Sequence, residues 1–163
     1  MDAELLRIIH TLLSTARMAA LGTLREGAPF VSLTTTAPAD DFTAFWLHLS
    51  RLAFHTRHIE EDPRVSLMIW EEASPERNPQ SLARISLAGE AVRIDPDTAA
   101  FESGRDTFLK RNPDSEGFFQ LGDFALYRIT VGYGRLVGGF GAIHTISPSH
   151  LREAARLGLS RDV

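Results

Sequence analysis

Between Leu49 and Trp70 the chain reads LSRLAFHTRHIEEDPRVSLMIW, and its first ten residues gather the hydroxyls and cations of Ser50, Arg51, His55, Thr56, Arg57 and His58. They crowd the opening turns of a short helix, where unpaired backbone N–H groups and the helix dipole favour an anion. The chemistry on offer is phosphate binding, and Arg57 suits it best because a planar guanidinium grips two oxygens. A solvated basic helix face would carry the same residues. A second group is Ser32, Thr34, Thr35 and Thr36, of which Ser32, Thr34 and Thr36 share one strand face. Threonine is also favoured in strands for its shape alone. A third is the run Gly138-Gly139-Phe140-Gly141-Ala142-Ile143-His144, whose glycines let the backbone pass close to a ligand and deliver His144 at the end of the turn. An imidazole there can ligate a metal centre or contact a ring, and an ordinary loop histidine reads the same.

Other chemistries find no support. The chain has no Cys, which removes disulfides, thiol catalysis and thiolate metal sites. His48, His55 and His58 have no carboxylate spaced with them as in the HExxH zinc helix, so no metal site is expected unless His144 holds haem iron. No serine sits in a nucleophile elbow. The Gly138 run does not lead from a strand into a helix, so it is not a dinucleotide fingerprint.

The elements that must position these residues follow from periodicity. Leu5, Leu6, Ile8, Ile9, Leu12 and Leu13 recur at helical spacing, which predicts an amphipathic N-terminal helix within residues 1–18. Strands are expected over Met18–Leu24 and Phe30–Ala37, joined by the four-residue loop Arg25 to Ala28, and over Phe42–Leu49 with both faces apolar. A helix over Leu52–Glu61 stops at Asp62-Pro63 and is followed by the strand Arg64–Trp70. A polar loop then leads to a strand over Leu82–Ile94 with Gly89 as a bulge. Asp95-Pro96 reads as a helix start running to about Arg111, and Phe124–Val131 and Tyr133–Val137 as two more strands. Ser147-Pro148 opens a terminal helix over 148–157. Six or seven strands with short helices inserted, rather than alternating βα units, predict an α+β fold with an antiparallel β-barrel in one domain spanning 1–163.

The Leu49–Trp70 segment resembles the flavin-phosphate element of the pyridoxamine 5′-phosphate oxidase-like split barrels, and the resemblance extends over roughly Thr15 to His144. It implies a split barrel that binds FMN at the interface of a homodimer and carries out oxidoreductase chemistry on a small-molecule substrate. The implied flavin contacts are Ser32, Thr34, Thr35, Thr36, Leu49, Ser50, His55, Thr56, Arg57, Arg84 and His144. Two of these depart from the oxidase pattern: His55 stands where the oxidases have lysine, and Arg84 where a glutamine contacts the flavin. The arginine-rich C-terminal substrate motif is absent, so oxidation of pyridoxine phosphate itself is not expected. Gly122-Asp123-Phe124-Ala125-Leu126-Tyr127-Arg128 and the Gly138–His144 run resemble the haem-utilisation branch of the same superfamily. There a histidine in this region coordinates iron, which makes His144 an implied axial ligand. The alternatives left open are therefore an FMN enzyme, a haem-binding or haem-degrading protein, and an interaction module of the same fold without cofactor.

Composition sets the outer bounds. At 163 residues, 44% hydrophobic and 23% charged, the chain fits one folded domain. A net charge of −4 argues against nucleic acid, whose backbone demands a basic face. There is no basic-then-apolar leader and no apolar run near membrane-spanning length, and with the missing cysteines this points to a cytoplasmic protein.

Overall fold

Asp2 caps the first helix through its side chain, which accepts the Glu4 N–H, and α1 (Ala3–Thr15) buries Leu6, Ile9, Leu12 and Leu13 on the face that the periodicity marks. This computed structural model describes residues 1–139 and 142–159, so Phe140 and Gly141 of the glycine run lie outside the described residues. β1 (Met18–Arg25) and β2 (Ala28–Thr35) form a hairpin closed by Glu26 and Gly27 alone, with φ of 51° and 80°. The turn is thus shorter than the four-residue loop expected. Positive φ at both central positions matches the right-handed strand twist, and that match draws Arg25 and Ala28 into the ladder.

β3 (Ala37–Pro38) and β4 (Ala44–Ser50) follow, then α2 (Phe54–Glu61), β5 (Arg64–Trp70), β6 (Arg84–Arg93), α3 (Ala99–Arg111), β7 (Phe124–Val137), β8 (Ile143–Ile146) and α4 (Pro148–Leu159). All pairings are antiparallel in the order β2-β1-β5-β6-β7-β4-β3, with β8 beside β7. Only Thr36 separates β2 from β3, yet these strands stand at opposite ends of that order. The sheet must therefore curl until its ends meet, and this gives the split barrel of an α+β fold. Leu21, Phe45, Leu47, Leu67, Leu87 and Ile129 fill its interior, and α1 and α4 pack on it. A smaller core of Ala37, Trp46, Phe108 and Leu126 lies under α3.

Three expectations are corrected. Phe124 to Val137 is one strand rather than two, because the ladder with β6 resumes at Tyr133 and Gly134 after a single unpaired residue, Gly132. His144, expected at the end of the glycine turn, lies within the strand β8, whose four residues are too short a run to show periodicity. With it the described residues hold eight strands. Thr98, not Asp95, caps α3: its hydroxyl accepts the Phe101 N–H, while the Asp95 carboxylate closes a turn on the Asp97 N–H. The ladder slips between Ala88 and Gly89, close to where a bulge was expected, with Gly132 of β7 as the extra residue, and an added Cβ at Gly89 would collide with the Thr130 carbonyl. Among the described residues no helix is long and apolar enough to cross a membrane.

Candidate ligand site

β4 carries the chain to one end of the barrel, where Ser50 pairs with Phe124 at the start of β7 and the chain turns into α2. Proline after Asp62 ends α2, and Arg64 clasps the Asp62 carboxylate and holds its pKa down at about 2. The N-cap of α2 is Ala53, which offers no side-chain acceptor, and the first turn holds no acidic residue. Its leading N–H groups are left for water or a ligand. Arg57 projects from this turn, exposed and outside every salt bridge among the described residues.

The other groups at this end are engaged within the chain. Ser50 Oγ donates to the Asp123 carboxylate at 2.9 Å and accepts the Leu52 N–H at 3.2 Å. Thr56 is fully buried, and its hydroxyl donates to the Ser50 carbonyl at 2.7 Å. His55 Nδ1 lies 3.1 Å from Ser32 Oγ, which ties α2 to β2. Burial first, and the neighbouring His58 second, hold the His55 pKa below the ordinary histidine value, so the ring does not supply the positive charge that a lysine would. His58 is itself buried with Nδ1 3.0 Å from Thr23 Oγ1. Leu49 is buried in the barrel core.

On β2 the alternation places Ser32 and Thr34 opposite Leu21 and Ala19 on the inner face, and Thr35 on the outer one. Thr34 Oγ1 is buried without a hydrogen-bond partner among the described residues. Thr36 is wholly buried, its hydroxyl 3.4 Å from the Trp46 carbonyl and its own carbonyl accepting from Asn112 Nδ2, so its polar groups serve the join between β2 and β3. Arg84 and His144 sit at the opposite end of the barrel from Ser50. Arg84 pairs with Trp70 and Val137, and its guanidinium donates to the nearby Leu82 carbonyl. His144, on β8, pairs with Leu136 of β7; it is half-buried at the barrel rim, with no hydrogen-bond partner among the described residues. One chain therefore brings Ser32, Ser50, His55, Thr56 and Arg57 together, and holds Arg84 and His144 apart from them. Sequence reasoning missed Asp123 as the partner of Ser50: the two are 73 residues apart, and only the pairing of β4 with β7 joins them.

The family model described as CREG, beta-barrel, matches residues 3–152. The chain belongs to the CREG β-barrel family. Among curated proteins, this CREG-family chain is 25% identical over 133 residues to the haem oxygenase HutZ of Vibrio cholerae, covering 81% of this chain and 74% of HutZ. A haem-binding protein from Mycobacterium smegmatis superposes with a TM-score of 0.82 at 26% identity over 94% of this chain, which spans 61% of that protein. The fold is shared more distantly with an FAD-binding protein from Mesorhizobium loti, with a TM-score of 0.63 at 17% identity over 84% of this chain and 96% of that one. The expected split-barrel fold is therefore shared across the domain, and haem proteins are among the relatives that the chain resembles in sequence.

Proposed function

We propose that this CREG-family chain is a haem-binding protein that works as a homodimer, with haem held between subunits and His144 as axial ligand. The observation that carries this reading is the division of polar groups. Ser50, Thr56 and His55, which a flavin phosphate would need, are bound to other parts of the chain. The His144 imidazole has no hydrogen-bond partner among the described residues. Imidazole is an ordinary haem ligand, and when bound the iron would supply the redox and oxygen chemistry of the site. The haem proteins among the relatives support the same choice.

The homodimer finds support in the outer sheet face, where Val31 is 67%, Leu33 62% and Tyr133 63% exposed. Exposed apolar side chains spread along one face of a sheet form the kind of patch that a second subunit covers. A flavin enzyme is the second reading, favoured by the uncapped N-terminus of α2 and by Arg57. The visible spectrum of the purified protein and a haem titration separate the two. The expected outcome is a Soret band with stoichiometric haem, abolished or shifted in His144→Ala. Flavin bands in the purified protein with no haem uptake would establish the second reading, and a colourless protein that takes up neither would point to an interaction module.

A further inference from the structure

The corner at Ser50 and Arg51 is strapped to the corner at Gly122 and Asp123 by three hydrogen bonds. Ser50 Oγ donates to the Asp123 carboxylate at 2.9 Å, the Arg51 main-chain N–H to the Asp123 carbonyl at 2.6 Å, and Arg51 Nη2 to the Gly122 carbonyl at 2.6 Å. A hydroxyl, a main-chain N–H and a guanidinium just ahead of a helix are the donors that a phosphate monoester takes. Here three oxygens of the chain itself take them, and one of those oxygens is charged. Thr56 is withdrawn in the same way by the Ser50 carbonyl.

We propose that Asp123 is a built-in stand-in for a ligand phosphate and, as a specificity-determining residue, closes the α2 end of the barrel to phosphate-bearing ligands. A phosphate that enters must break the Ser50 to Asp123 bond and then lie beside the displaced carboxylate. Like charges at such separation repel strongly in a site partly shielded from water, and the donors it would gain are no better than those already made. Haem carries no phosphate. The inference rests on the haem reading in supplying the reason why this chain, unlike its flavin-binding fold relatives, turns FMN away.

FMN and riboflavin differ by the phosphate alone, so the ratio of their affinities isolates it. Equilibrium dialysis of both against the full chain, against Asp123→Asn and against Asp123→Ala is the test. The wild type is expected to show no preference for FMN, and the variants to hold FMN at least tenfold more tightly than riboflavin, with inorganic phosphate competing only in the variants. Asp123→Asn keeps an oxygen for the Ser50 hydroxyl and carries the test if Asp123→Ala does not fold. A wild type that already prefers FMN tenfold overturns the proposal, and so do variants, folded by far-UV circular dichroism, that hold both flavins alike or neither. The wild-type ratio decides without any variant. A haem titration on the same preparations reads the function separately: a wild type that takes up no haem removes the haem reading, whereas an unchanged flavin ratio in the variants removes Asp123.

Discussion

His48 lies on β4 with its ring stacked on Phe119, centroids 3.7 Å apart and planes 4° from parallel, and with Phe108 and Phe124 close by. Burial in this apolar surround lowers its pKa from 6.5 to about 4. As pH falls below 6.5 the unfolded side chain takes up a proton that the folded one refuses until about 4, so stability is lost as pH falls through that window and regained as it rises. The loss from this side chain is on the order of 2–3 kcal/mol. His48→Phe should flatten the profile, read as urea midpoints from pH 7 to pH 4 for variant and wild type. An equal slope in both would remove His48 as the cause. Thr34 makes the complementary case. Its hydroxyl is buried with no partner among the described residues, so Thr34→Val keeps the volume and removes an unmet polar group. We expect a gain of about 1 kcal/mol in urea unfolding. A loss of similar size would mean that the hydroxyl is satisfied in solution.

Elements meet where small residues permit it. Gly104 lets α3 lie against the Trp46 ring: a Cβ there would come within 2.6 Å of Cε3, and Arg128 sits over the same ring at 5.9 Å to its centroid. Gly104→Ala gains up to about 1 kcal/mol in helix propensity but forces the ring or the helix to move, at a cost of roughly 1–3 kcal/mol. The expected balance is a loss of stability with a changed tryptophan fluorescence, and an unaltered spectrum with raised stability would show that the ring yields freely. Such contacts mark the limit of what the sequence conveys. α1, β4, α2, β5 and the Gly89 bulge could be read because periodicity, proline and glycine act locally. The unbroken β7 could not, because Gly132 reads as a strand breaker until β6 is seen to pair the residues on both sides of it. At the candidate site, the clustering of Ser50, Thr56 and Arg57 was legible from one segment. The Asp123 bond that occupies Ser50 was not, because it depends on strand pairing.

At the scale of the whole molecule, β7 separates two half-sites: Ser50 is paired at its first residue, and His144 near its last. If haem binds between two chains as proposed, a flat ligand could contact both sets of groups, and the outer face offers a surface on which the chains would meet. Val31 and Leu33 stand on β2 at that face, 67% and 62% exposed. A lysine buried there without a counter-charge costs on the order of 3–5 kcal/mol, enough to undo an interface of standard size when two are introduced in each copy. The double variant Val31→Lys with Leu33→Lys is therefore expected to run as a monomer by light scattering where the parent runs as a dimer, with or without haem. Both positions face away from the barrel core, so circular dichroism and thermal unfolding should still report a folded chain. If haem lies between subunits, its affinity should fall at least tenfold with the loss of the dimer, although His144 is untouched. A double variant that remains dimeric would place the interface elsewhere on the molecule. A folded monomer that binds haem as tightly as the parent would confine the ligand to a single chain at the His144 rim.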